Sequence, residues 1–184
     1  QRLLSLVHMK WFQGSPIMRV YLRALGAKIG DDALISEFEV GAVDLLSIGA
    51  GASTGGKVKF ANAEVVGNEL IIGEITIGER AYIGTSCVLS RNVHVGAGAE
   101  LADLSSVGED TVIPANESWD GSPARQIGAV DPAALSKPPT ASAFRRQANS
   151  VAHLIALLVL PPISLLPIFP AFYLFDRLDE IFGA

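Results

Sequence analysis

Few side chains in this sequence can do acid–base or nucleophilic chemistry. It holds three histidines, His8, His94 and His153, and one cysteine, Cys87. An imidazole takes and returns protons near neutral pH, and His94 is the histidine in the most regular stretch of the chain. The residues before that stretch offer Lys57, Lys59, Phe60, Asn62 and Glu64 and no histidine, so Glu64 is their candidate proton acceptor. Cys87 falls where the pattern keeps a small inward-facing side chain, which makes it an inert hydrophobe and not a nucleophile. A zinc centre takes about four ligands, several of them His or Cys. With so few such residues in that region, no metal is expected.

The pattern that positions these residues has a period of six. An aliphatic residue recurs at Val65, Ile71, Ile77, Ile83, Leu89, Val95, Leu101, Val107 and Ile113. Gly or a small residue follows most of them (Gly78, Gly84, Ser90, Gly96, Ala102, Gly108), and a compact residue sits four positions on (Ala81, Cys87, Val93, Ala99, Ser105, Thr111). Neither an amphipathic helix nor an alternating strand has this period; it is the hexapeptide signature of a parallel β-helix. Each hexad forms one face of a triangular coil, its aliphatic residue packing on equivalents above and below. The glycines admit the turn between faces, with φ > 0 where needed. They follow the repeat, so they are structural and not a phosphate-binding loop. Each buried aliphatic is worth about 1.5–3 kcal/mol, enough in register to outweigh the poor propensity of so many glycines. His94 takes the outward sixth position of its hexad.

At 184 residues there is room for one domain plus appendages. The formal charge of -5, without a Lys/Arg stripe, argues against nucleic acid as a partner. A lone cysteine forms no internal disulfide, which fits a reducing compartment. The chain starts at Gln1 without a signal-peptide pattern and reads as a piece of something longer. Gln1 to Trp11 is either the tail of a membrane helix anchored by Lys10 and Trp11 or a frayed terminus. Ser15 and Pro16 then cap and open a short helix to about Leu25. Its Ile17, Val20, Tyr21 and Leu25 alternate with Arg19 and Arg23, which suits covering the coil stack and touching lipid headgroups.

Coils begin near Ile29, with a register slip between Val40 and Leu46. From Thr54 to Glu64 the pattern lapses, as a projecting loop or a poorly patterned coil. The regular run ends at Pro114, and residues 119–125 make an exit turn. Val151 to Phe175 then carries no Asp, Glu, Lys or Arg. As a helix it would be about 37 Å long, enough for a hydrocarbon core of about 30 Å. Pro161, Pro162, Pro167 and Pro170 make it either a kinked span or a re-entrant pair of half-helices, unless it is a buried soluble element. Arg145 and Arg146 before it place the β-helix on the cytoplasmic side. His153 lies within it, where an ionisable residue is a functional suspect. The predicted organisation is therefore a juxtamembrane segment and helix (1–28), a β-helix of about five coils (29–127), a linker (128–150), a transmembrane or re-entrant segment (151–175) and a tail (176–184).

Two sets of residues carry a family resemblance. The run from Ile75 to Leu89, closing with Trp119-Asp-Gly-Ser-Pro-Ala-Arg125, resembles the hexapeptide-repeat acyltransferase superfamily. That family's coils end in a Gly-Asn-Pro-Ala-Lys type exit, which Gly121 to Arg125 matches with two changes. Trp11-Phe-Gln-Gly-Ser-Pro, Leu25-Gly-Ala-Lys-Ile-Gly30 and Asp44-Leu-Leu-Ser-Ile-Gly49 are similar to the membrane-embedded C-terminal region of nonribosomal-peptide-synthetase-like poly-amino-acid (polylysine-type) synthetases. This likeness runs from about Lys10 to Phe175.

The resemblance implies an all-β, left-handed parallel β-helix with a short N-terminal helix and a C-terminal apolar membrane helix. It implies acyl transfer from a phosphopantetheine-carrier thioester or acyl-CoA to an amine, without a metal. His94 and Glu64 are then the candidate bases; the family often carries its catalytic His on the loop before the final regular run, and here that loop has none. Arg125 matches a position near the cofactor's phosphates, and Tyr82 and Trp119 are candidates to line a pantetheine groove. The implied partners are a carrier domain or acyl-CoA, a membrane, and other β-helix domains in a homotrimer or a tandem pseudo-trimer. The alternative is a catalytically silent repeat that scaffolds active sister domains.

Overall fold

The structure, a computed structural model, describes residues 16–131 and beyond them only scattered positions between 144 and 170. The chain divides into two compact units, Gln1–Pro138 and Pro139–Ala184. All the named elements lie in the first. Most of the expected transmembrane or re-entrant segment (151–175), His153 included, lies outside the described residues; among the described residues no helix is long and apolar enough to cross a membrane.

Helix α1 (Pro16–Ala24) opens the unit. Met18 and Leu22, one turn apart, are its buried face, with the expected Tyr21 packed beside them, while Val20 and Leu25 of the expected stripe are exposed. Gly26, at φ +100°, ends the helix, and Ala27 N–H donates back to Leu22 O at 3.0 Å, a Schellman closure. Arg23 ties the helix to the first coil, donating from Nε to Ile29 O at 2.7 Å.

The coils follow in order. The first holds β1 (Lys28–Ile29) and β2 (Phe38–Val40); the second, β3 (Leu46–Ile48), β4 (Ser53–Thr54) and β5 (Val58–Phe60). A hairpin, β6 (Ala63–Val66) and β7 (Glu69–Ile72), then projects. The third coil has β8 (Ile75–Ile77), β9 (Tyr82–Ile83) and β10 (Val88–Leu89); the fourth, β11 (Val93–Val95), β12 (Glu100–Leu101) and β13 (Ser106–Val107). The fifth has β14 (Val112–Ile113) and β15 (Glu117–Gly121), on which β16 (Ala124–Ala129) folds back antiparallel. Face A stacks β1, β3, β8, β11 and β14; face B stacks β4, β9, β12, β15 and β16; face C stacks β2, β5, β10 and β13. Every rung-to-rung pairing is parallel, as the hexads require.

The core is the ladder itself. Ile77, Ile83, Leu89, Val95, Leu101, Val107 and Ile113 are all buried, with Ala81, Cys87, Val93, Ala99 and Ser105 beside them at the corners. Two expected members stand outside it: Val65 is 70% exposed and Ile71 37%, because both lie on the projecting hairpin. Of the two readings of the lapse, the coil holds as far as Asn62, with Thr54, Val58, Phe60 and Asn62 buried, and the projection begins at Ala63. Between the second and third coils Ile48 pairs with Ile77, twenty-nine positions on, whereas Ile77 pairs with Val95, eighteen on. Eleven residues have therefore been let into one turn, and they form the hairpin. The register slip before Leu46 is a 3-10 turn at Val43–Leu45. The exit is a strand hairpin, and its β16 covers the last parallel edge of face B.

Most of the glycines after inward aliphatics, Gly108 excepted, have a different task from the expected turn. A Cβ on Gly78 would lie 2.5 Å from the Ala97 nitrogen and 2.7 Å from the Gly96 carbonyl carbon, so glycine is there to let rungs approach. The left-handed residue comes two positions later at each corner, as at Arg80 (φ +55°) and Asn116 (φ +58°).

Candidate functional site

The hairpin leaves the coil at the corner between faces C and A, and its base is fixed by a buried amide. Asn62 is fully enclosed; its Nδ2 donates to Ala42 O at 2.7 Å and its Oδ1 accepts from Ala42 N–H at 2.8 Å. Gly73 N–H donates to Asn62 O at 2.9 Å and closes the neck. At the foot of the hairpin is a groove of about 380 Å³, lined by Glu39, Lys59, Glu64, Ser90 and Glu109 over a floor that includes Phe60. Its walls carry three carboxylates against the Lys59 ammonium and the Arg91 guanidinium paired to Glu109, an acidic excess of one charge.

Arg91 lies beside this groove. Its Nη2 donates to Glu109 Oε1 at 2.5 Å, and its side chain is 13% exposed. The hydrogen bond to Glu109 pushes the guanidinium pKa upward, and the charges of Glu109, Glu64 and Asp110 add to that. The same spacing of eighteen recurs at the next residue of this corner, where Asn92 Nδ2 donates to Asp110 Oδ1 at 2.9 Å, and at a neighbouring corner, where Thr85 N–H donates to Asp103 Oδ1 at 2.6 Å. Sequence reading missed Arg91, Glu109 and Glu39. The signal was present for the first two, since they stand one full coil apart.

The sequence-derived candidates are dispersed. Glu64, on β6, lines the groove. His94 is exposed on face A, between Thr76 and Val112 in the outward row. Tyr82 stands outward on face B beside Glu100; burial raises its pKa, and the Asp103 and Glu100 charges add to the rise. Trp119 pairs with Leu101 and packs against the core, its Nε1 donating to Glu117 Oε2 at 2.9 Å. Tyr82 and Trp119 thus occupy opposite sides of one sheet. Arg125 is exposed on β16 opposite Asp120. Cys87 is buried, its Sγ donating to Ala102 O at 3.0 Å, and burial pushes the thiol pKa up. Among the described residues no group of His, Cys, Asp and Glu is gathered to hold a metal ion. A second, more open groove of about 610 Å³ runs past Arg23, Lys28, Ser47, Thr76 and Glu79 on face A.

No family model matches the chain. It is 38% identical over 167 residues to the delta-poly-L-ornithine synthetase of Acinetobacter baumannii (strain AB307-0294), a match taking in 90% of this chain and 12% of that protein. The chain thus spans a small fraction of its relative's length. Among solved structures it is similar to a hexapeptide-repeat acetyltransferase from Vibrio cholerae, with a TM-score of 0.53 at 24% identity over 58% of this chain and 64% of that one. It is also similar to a maltose O-acetyltransferase from Clostridium difficile 630, with a TM-score of 0.50 at 15% identity over 61% and 74% of the two chains. In fold the chain is a parallel β-helix similar to those of solved hexapeptide-repeat acetyltransferases, and in sequence it is similar to a stretch of a delta-poly-L-ornithine synthetase.

Proposed function

We propose that this chain is an acyl-transfer domain of a nonribosomal-peptide-synthetase-like enzyme, passing an aminoacyl group from a phosphopantetheine-carrier or CoA thioester to an amine. The observation that carries the reading is the acidic groove at the hairpin foot, which holds Glu64 with Glu39 and Glu109. Such walls suit an amine-bearing acceptor, and a polyamide such as the relative's named product requires acyl transfer to amines. In the step itself the amine nitrogen attacks the thioester carbonyl. The C–N bond forms, the C–S bond breaks, and Glu64 takes the proton from nitrogen and returns it to the leaving sulfur. His94, on the neighbouring face, does not line this groove. Left-handed winding, a membrane anchor in 151–175 with the β-helix on the cytoplasmic side, and carrier or sister β-helix partners belong to the same reading. They are supported by the sequence resemblance.

The test is amine-dependent release of the aminoacyl group from a loaded carrier. Glu64→Gln is expected to slow it by about 10²–10⁴-fold, with His94→Ala within about two-fold of the unaltered protein. The reverse ranking would move the base to His94. Turnover unchanged in both would favour the second reading, a catalytically silent scaffold. One observation supports that reading: Ala63, Val65, Leu70 and Ile72 share one face of the hairpin, wholly aliphatic and turned outward, with Leu70 66% exposed. A scaffold role predicts that Val65→Lys and Leu70→Lys dissociate assembled β-helices in sedimentation.

A further inference from the structure

Arg91 carries a feature that neither the ladder nor the groove explains. Its Nη1 is enclosed and finds no acceptor among the described residues, while Nη2 is committed to Glu109. A guanidinium presents five N–H donors in a fixed fork, and leaving a charged donor unmet inside a protein is costly enough to need a cause. The position is specific. A Cβ on Gly73, where the hairpin re-enters the coil, would lie 2.8 Å from Arg91 Cβ, so the arginine stem runs directly beneath the hairpin neck. Glu64 is on the strand leaving that neck and shares the groove with Glu109, the carboxylate Arg91 already holds. Glu64 is exposed, and its side chain makes no hydrogen bond among the described residues.

We infer that Arg91 is a positioning residue for Glu64: Nη2 holds Glu109 and Nη1 receives the Glu64 carboxylate, fixing hairpin β6–β7 against the groove. A fork that grips two carboxylates from different coils sets their separation, which a lysine's point charge does not do. The inference rests on the reading of Glu64 as the proton acceptor, but its physical content, a coupling between Arg91 and Glu64, is measurable without any transfer assay.

The experiment is hydrogen–deuterium exchange of the backbone amides in residues 63–72 on the full chain, as a double-mutant cycle. Arg91→Met and Glu64→Gln are each expected to speed exchange there by about three- to five-fold, the range of a partly exposed ion pair. The double variant is expected to go no faster than the single ones, and Arg91→Lys should recover some of the protection. Additive effects in the double variant, or hairpin exchange unmoved by Arg91→Met, would overturn the inference. Should Arg91→Met fail to fold, the same cycle run with Arg91→Lys decides it, coupled or additive. A coupled cycle in a protein that transfers no aminoacyl group would sustain the latch and remove the acyl-transfer reading. Active protein with an uncoupled cycle would do the opposite.

Discussion

Gly78 offers the sharpest test of how the coils are held together. Its N–H donates to Val95 O at 2.7 Å, and a Cβ built on it would stand 2.5 Å from Ala97 N and 2.8 Å from Ala97 Cα. Comfortable contact needs about 3.4 Å or more, so Gly78→Ala must push adjacent rungs apart by most of an ångström against a normal strand spacing of about 4.8 Å. The atoms met are backbone and cannot swing aside. Stretching one or two rung hydrogen bonds forfeits about 1 kcal/mol each, and forced overpacking adds about 1–3 kcal/mol. The smaller entropy of an unfolded alanine returns about 0.4–1 kcal/mol. The net loss is about 2–3 kcal/mol, or roughly 4–12 °C in melting temperature for a chain of this size. Gly56 is the control: nothing lies within 4 Å of its Cβ site and its φ is ordinary. Gly56→Ala is therefore expected to leave the melting temperature unchanged or raise it by up to about 4 °C. Thermal unfolding followed by Trp119 fluorescence reads both. Equal losses in the two variants would mean that the glycines serve backbone flexibility, and the close-approach argument would be wrong.

Three further outcomes follow from the same geometry. Ile77→Ala, fully inside the ladder, should cost about 2–5 kcal/mol in urea unfolding, while Val65→Ala on the outward hairpin should stay within about 0.5 kcal/mol; similar costs would return Val65 to the core. Asn62→Ala removes the partners of the half-buried Ala42 N–H and C=O, a loss of about 0.5–1.5 kcal/mol per hydrogen bond, read as a fall in denaturation midpoint; a change under about 0.5 kcal/mol in total would show that the neck does not depend on it. Burial raises the Cys87 pKa, so above about pH 9 the unfolded chain releases the thiol proton while the folded one keeps it. The folded state then binds more protons, and stability falls as pH rises from there toward the folded pKa; Cys87→Ala should blunt that alkaline decline in a melting series, and an identical decline would assign it elsewhere.

How far the sequence could be read is decided by the eleven-residue insertion. A period of six survives in any stretch where each rung contributes its regular share, so Ile77 to Ile113 was legible residue by residue. The insertion is one short of two hexads. It therefore moves the phase of the ladder by a single residue, from Ile48, Thr54 and Phe60 to Ile77, Ile83 and Leu89. Counting backward from Ile77 in sixes meets Ile71 and Val65, aliphatic for a different reason: they alternate along a two-stranded hairpin, where β propensity and not burial selects them. Their coincidence with the downstream phase hid both the hairpin and the true second coil.

The site was obscured by the same step. Glu64 was found because it lies in the stretch just before the regular run, where a base was looked for. Glu39, Arg91 and Glu109 reach the groove from three other turns of the coil, and only the register brings them together. In a solenoid the neighbour of a residue is the one a full coil away. The chemistry of a corner is therefore written down the stack at intervals of eighteen, and becomes readable once every insertion has been counted.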